Sequence, residues 1–171
     1  MRNVEIKAVV KQDLDDLISK VEQLSETPQV KIEQHDTFFK AIDGRLKLRK
    51  FEDGTGELIF YKRPNIPGPK LSTYNKIELK ANTVEPMTDL LSQSNGVVGV
   101  VKKTRLLYTI KQNRIHIDKV EGLGNFMEVE CIMQEKDEKS DYITFIAQLM
   151  NTLDIKQSDY IENAYIDLLN L

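Results

Sequence analysis

The sequence predicts an antiparallel α+β fold, and three observations carry that expectation. About eight runs read as strands, against three or four helical stripes. Most strand runs are joined by short turns rather than by helical crossovers. Within the strands, charged residues recur at every second position, and their signs are sorted from strand to strand.

The elements follow in chain order. "NVEIKAVV" (3–10) alternates and is β-branched, so it reads as a strand. "DLDDLISKVEQL" (13–24) spaces Leu14, Leu17, Ile18, Val21 and Leu24 as a helix does, with Asp13 suited to its N-cap. "QHDTFFKA" (34–41) reads as extended. Asp43-Gly44 signals a hairpin ahead of "RLKLRKF", and "EDGTG" (52–56) a second turn ahead of "ELIFYKR" (57–63). Pro64, Pro67, Gly68 and Pro69 make a loop. "LSTYNKIELKA" (71–81) is a further strand. Pro86 suits the first position of a short helix through Leu91, which Gly96 stops. "GVVGVVKKTRLLYTI" (96–110), "NRIHIDKV" (113–120) and "FMEVECIM" (126–133) are strands, the last two separated by the turn "EGLGN". Tyr142, Phe145, Ile146, Leu149 and Leu153 form a helical stripe, and a last helix is expected from near Ser158.

Composition bounds the function. The 171 residues read as one domain, 1–171, long enough for a substantial core. A net charge of −3 gives no general pull toward nucleic acid or an anionic membrane, so any anion site must be a local concentration of cations. One cysteine, Cys131, leaves no internal disulfide and no multi-thiolate zinc site, and its apolar surroundings suggest packing. No apolar run approaches the ~20 residues that span a bilayer. "MRNVEIK" lacks the apolar stretch of a signal peptide. A reducing, cytoplasmic setting is therefore expected. His35 and His116 have no second ligand at zinc spacing, and no phosphate-cradling glycine motif occurs.

The charges inside the strands are the informative feature. Asn3, Glu5 and Lys7 share a face. So do Arg45, Lys47 and Arg49 in "GRLKLRK", Lys103 and Arg105 in "VVKKTRLLY", Arg114, His116 and Asp118 in "RIHID", and Phe126, Glu128 and Glu130 in "FMEVEC". A half-solvated antiparallel sheet produces the same alternation. Two things weigh against that reading: the sorting of signs by strand, and the repulsion among like charges two residues apart. A polyanion held by the cations and a metal held by the carboxylates answer both. Arg grips phosphate oxygens with a planar fork, and Lys adds a compact charge. Carboxylates suit a hard ion such as Mg²⁺ or Mn²⁺. A closed barrel would bring these side chains to one small volume.

Here the sequence resembles the CYTH superfamily, the triphosphate tunnel metalloenzymes. "VEIK" is similar to the end of the family's E-x-E-x-K strand. "QHDTFF", "GRLKLRK", "LIFYKRP", "GPKLS", "VVKKTRLLY" and "RIHIDKVEGLGNFMEVE" follow in order. The likeness spans essentially the whole chain and is nearest to the CyaB-like, class IV adenylyl cyclase-like branch. It implies an eight-stranded antiparallel tunnel with helices outside. It implies metal-binding carboxylates at Glu5, Glu128 and Glu130, with Asp118 a further candidate. It implies phosphate-binding cations at Arg45, Lys47, Arg49, Lys62, Lys103 and Arg105, and a catalytic lysine at Lys7. Asn3 departs from the pattern, because the family carries glutamate there. Arg63 is placed neither inward nor outward by the pattern.

The functions implied are metal-dependent hydrolysis of an inorganic or organic triphosphate, cyclisation of ATP to cyclic AMP and pyrophosphate, or binding of nucleotide or polyphosphate without turnover. The partner in each case is a small triphosphate, with no nucleic acid and no membrane. Thiamine triphosphate is less favoured, since no Trp is present to stack on it.

Overall fold

Eight strands close into a barrel because their polar faces turn inward and their apolar faces turn out beneath helices. A computed structural model describes residues 1–171. The strands are β1 (Arg2–Val9), β2 (Val30–Phe39), β3 (Arg45–Phe51), β4 (Gly56–Lys62), β5 (Lys70–Leu79), β6 (Val97–Ile110), β7 (Asn113–Val120) and β8 (Gly124–Ile132). All neighbours are antiparallel, and the order β1-β5-β4-β3-β2-β6-β7-β8 returns to β1. Closure leaves no unpaired edge. The helices are α1 (Leu14–Leu24), α2 (Ala81–Ser94), α3 (Ser140–Thr152) and α4 (Tyr165–Leu169). No helix is long and apolar enough to cross a membrane.

The main core lies outside the wall. Val4, Ile6 and Ala8 of β1, with Ile115, Ile117, Met127 and Val129, pack against Leu17 and Val21 of α1 and Ile146, Leu149 and Met150 of α3. Cys131 is buried in this cluster, as its surroundings suggested, and burial pushes its thiol up to about 12. On another flank Val84 of α2 covers Phe39, Leu48 and Leu79. Tyr165 and Ile166 of α4 pack with Phe38, Val101, Val120 and Phe126 across one end of the barrel.

Asp13 caps α1, its carboxylate accepting from the Asp16 amide at 3.0 Å. Gly44 enters β3 at φ +84°, and a Cβ there would stand 2.8 Å from the Tyr61 carbonyl oxygen, so only glycine fits. The β6–β7 turn is made by Lys111 and Gln112, both at positive φ, so this tight hairpin forms without glycine.

Two helix boundaries differ from expectation. The helix placed at Pro86 begins instead at Ala81, leaving Pro86 inside it. Burial of Val84 against β2, β3 and β5 outweighs the boundary preference of proline. The last helix starts at Tyr165, not near Ser158, where there is only a short 3-10 turn (Gln157–Asp159). Between them Tyr160 bridges to Ala8, and the Ile161 amide donates to the Lys7 carbonyl at 2.9 Å. This stretch is drawn out along β1, which delays the helix.

Candidate active site

The barrel encloses a cavity of about 580 Å³. Strand parity decides which side chains reach it. Lys47 and Arg49 of β3 enter from one side, Lys103 and Arg105 of β6 from beyond β2, and Lys7 and Glu5 from β1. Between the β3 and β6 cations lies a carboxylate that sequence reasoning did not assign, Asp36 of β2. Arg49 holds it with two bonds of 2.8 Å, Lys47 Nζ stands at 2.9 Å and Lys103 Nζ at 3.3 Å. The repulsion among these cations is relieved by the chain itself. Burial alone would raise the Asp36 carboxyl, but Arg49, Lys103 and Lys47 hold it well below the usual carboxylate range. The reciprocal effect on the lysines is incomplete. Burial lowers Lys103 to about 7 despite Asp36, with Arg49 and Arg105 adding to the fall. Burial and Arg49 lower Lys47 to about 8.

The carboxylates gather on β1 and β8. Register sets Glu5 opposite Glu130, and Lys7 opposite Glu128. Glu128 meets Lys7 at 3.1 Å, Arg105 at 2.6 Å and His116 at 3.5 Å. Burial opposes its charge, yet Lys7 and Arg105 keep it well below the ordinary range. Glu5 stands 3.1 Å from Arg63, and its pKa is raised, chiefly by burial. Asn3 donates to Glu130 at 2.6 Å, while its own buried Oδ1 has no partner. Lys7 lies 3.6 Å above the Tyr165 ring, and burial lowers its pKa although Glu128 pulls the other way.

As placed, no three His, Cys, Asp or Glu side chains are gathered as they would be around an ion. Glu5 and Glu128 are turned toward cations instead, and Glu130 toward the Asn3 amide. Their strand positions nevertheless fit one, since Glu5, Glu130 and Glu128 occupy adjacent inward places on paired strands. The unpartnered Asn3 oxygen lies beside them. An all-oxygen set of this kind suits Mg²⁺ or Mn²⁺.

Three expected site residues are placed elsewhere. Lys62 points outward and pairs with Asp43. Arg63 takes the inward place, with its side chain only 3% exposed. Period two through Glu57, Ile59 and Tyr61, all in the cavity wall, leads to Arg63 and not to Lys62. Asp118 does not line the cavity. It is fully buried, gripped by Arg105 at 2.7 and 2.6 Å and by the Tyr165 hydroxyl at 2.7 Å. Its oxygens are turned toward Arg105 and Tyr165, behind the cavity wall, where it orients Arg105. Arg45 shares a strand face with Lys47, but its guanidinium lies outside the cavity, 2.6 Å from Asp167, and ties α4 to β3. Tyr165 was missed because no strand pattern reaches it. The placement is testable: Arg63→Ala is expected to weaken tripolyphosphate binding about tenfold or more, and Lys62→Ala less than about twofold, measured by calorimetry.

An antiparallel barrel that sets inward cations against inward carboxylates defines a charged-tunnel protein. Residues 1–165 match the CYTH domain family, and the chain belongs to it. A protein of Methanocaldococcus jannaschii that bears the provisional name adenylate cyclase is 28% identical over 176 residues, covering 97% of this chain and 99% of its own. A Vibrio parahaemolyticus structure, also provisionally named an adenylate cyclase, superposes with a TM-score of 0.78 at 19% identity, over 99% of this chain and 98% of that one. An adenylyl cyclase candidate from Hippeastrum, described with a dominant triphosphatase activity, gives a TM-score of 0.70 at 14% identity, over 98% and 95%. At these identities the two structures speak for the fold alone.

Proposed function

We propose that the protein is a divalent-metal-dependent triphosphatase. The observation that carries this reading is the partition of one 580 Å³ cavity into a cationic side on β3 and β6 and a carboxylate side on β1 and β8. A triphosphate lies with its oxygens against Lys47, Arg49, Lys103, Arg105 and Arg63. Arg49 and Arg105 are held in fixed orientation by Asp36 and Asp118, so little reorganisation is needed when phosphate arrives. Glu5, Glu128 and Glu130 would hold Mg²⁺ or Mn²⁺, which supplies Lewis-acid polarisation of phosphoryl oxygens. Lys7, at the carboxylate side, orients the attacking water. Water adds to the terminal phosphorus, the bridging P–O bond breaks, and the diphosphate leaves toward the cations.

The alternative is an adenylyl cyclase, favoured by the name of the Methanocaldococcus relative. There the ribose 3′ oxygen attacks the α-phosphorus and pyrophosphate leaves. Turnover of tripolyphosphate and ATP, compared with Mg²⁺ and with Mn²⁺, separates the readings. Orthophosphate supports the hydrolase, cyclic AMP with pyrophosphate supports the cyclase, and binding without product overturns both in favour of a binding module.

Anion binding should depend on pH through Lys103. A polyanion favours its charged form, so affinity falls as pH rises through about 7. Lys103→Arg keeps the charge without the titration. Its affinity for tripolyphosphate should fall less between pH 6.5 and 9 than that of the parent protein, by up to about tenfold in the ratio. Calorimetry at matched ionic strength checks this, and equal slopes would remove Lys103 from the site.

A further inference from the structure

One imidazole lies inside the cavity, and the chemistry proposed above gives it no task. His116 of β7 is 5% exposed and lines the cavity beside two glutamates of β8. Its Nδ1 stands 3.5 Å from Glu128 Oε2, and its Nε2 stands 3.9 Å from Glu130 Oε2. The β7–β8 register, with His116 opposite Glu128 and Arg114 opposite Glu130, sets the ring alongside both. The other histidine, His35, lies between two cavity-lining residues of β2, Gln34 and Asp36, and so faces outward.

The two contacts of the ring differ in kind. A neutral imidazole has one N–H and one lone pair, and an ionised carboxylate only accepts. At 3.5 Å the Nδ1–H donates to Glu128, which Lys7 and Arg105 also hold. Nε2 then turns its lone pair toward the lone pairs of Glu130 across 3.9 Å, beyond hydrogen-bond reach. Two acceptors facing each other in a buried wall repel unless a positive centre stands between them. Two metal–ligand bonds of about 2.1 Å each cover such a gap. Arg114 reaches the same Glu130 oxygen only at 3.6 Å, from a side chain that is 48% exposed. A second observation is independent of the ring. Asn3 is 4% exposed and its Oδ1 has no partner, while its amide nitrogen holds the other Glu130 oxygen at 2.6 Å. From three neighbouring strands, β1, β8 and β7, an amide oxygen, a carboxylate and an imidazole nitrogen therefore meet around Glu130.

We infer that His116 Nε2 is a metal ligand, and that with Glu130 and Asn3 it makes a mixed nitrogen–oxygen site that prefers transition-metal ions such as Mn²⁺ and Co²⁺ to Mg²⁺. Glu128, accepting from Nδ1, fixes the tautomer and orientation of the ring, as a carboxylate commonly does behind a ligating histidine. Two of the three donors are neutral. Mg²⁺ depends on charged oxygen and sheds its water reluctantly, whereas imidazole nitrogen favours the later ions. This inference rests on the metal-dependent reading above and narrows its choice of ion.

Electron spin-echo envelope modulation of the Mn²⁺-loaded protein reads the ligand atoms directly. A ¹⁴N coupling is expected, replaced by a ¹⁵N coupling when the parent protein carries ¹⁵N-labelled histidine. His35 and His116 are the only histidines, so His35→Gln should keep the coupling and His116→Gln should abolish it. Calorimetry with the metals alone supplies the selectivity. Co²⁺ is expected to bind the parent about 100-fold or more tightly than Mg²⁺, and His116→Gln to shrink that ratio about tenfold. Thermal melts establish that each variant is folded, and the labelled parent needs no variant. Mn²⁺ bound without a nitrogen coupling, or with one that survives His116→Gln, overturns the inference, and metal-dependent turnover would then still support the hydrolase. A His116-dependent coupling without turnover of tripolyphosphate or ATP keeps the mixed site and overturns the hydrolase reading. No binding of Mn²⁺ or Co²⁺ overturns both.

Discussion

Asp36→Asn is expected to destabilise the protein by about 3–5 kcal/mol, the usual result of removing one partner from a buried ion cluster. Asp36 is 1% exposed and is the carboxylate within reach of Lys47, Arg49 and Lys103 alike. The amide matches its shape, so the loss is one of charge. At this chain length the melting temperature should fall by about 10 °C. Added tripolyphosphate brings the missing negative charge, so its stabilising shift should be larger in the variant than in the parent. Differential scanning calorimetry with and without tripolyphosphate checks both parts. A small, ligand-independent change would show that the cations do not depend on Asp36. Acid acts in the same direction as the substitution. The Asp36 carboxyl lies below its unfolded value of about 3.8, so its contribution is complete above that pH and is lost as pH falls further.

Glu130→Gln is expected to reduce metal-dependent triphosphate turnover by about 100-fold or more while leaving the melting temperature within about 2 °C. Glu130 suits this separation of chemistry from stability. Its nearest neighbours are Asn3, which donates to it at 2.6 Å, and Arg114, a longer contact at 3.6 Å. Glu128, by contrast, supports Lys7, Arg105 and His116 together, so its removal would mix the two effects. Mn²⁺ binding in the presence of tripolyphosphate, followed by electron paramagnetic resonance, supplies a readout besides rate. Full activity with normal Mn²⁺ binding would take Glu130 out of the proposed metal set.

Much of this site was legible because a strand has a fixed period. Glu5 and Lys7, Lys47 and Arg49, Lys103 and Arg105, and Glu128 and Glu130 each lie two apart, and each pair faces the cavity. The family motif points to Lys62 as an inward cation, whereas the structure sets Lys62 outward and Arg63 inward. The β4 run has large apolar groups on both faces, Leu58 and Phe60 on one and Ile59 and Tyr61 on the other, so its alternation does not choose between the two. Asp36 lay in a quoted motif, but a lone acid on its strand face, with Glu33 on the opposite one, gave no sign that it would serve the cations of two neighbouring strands.

The sequence by itself determined the eight strands, the inward faces of most of them and the outward core, because local alternation and turn residues specify these without reference to distant parts of the chain. Only the tertiary structure decided which opposite charges meet. Asp36 reaches cations 11, 13 and 67 positions away. Arg105 takes up Asp118, so that this carboxylate supports a cation from behind the cavity wall. Arg45 leaves its strand neighbours for Asp167, because α4 folds back over the end of the barrel. Strand order and closure set these pairings. Coulomb energy falls with distance through space, and distance along the chain carries no information about it.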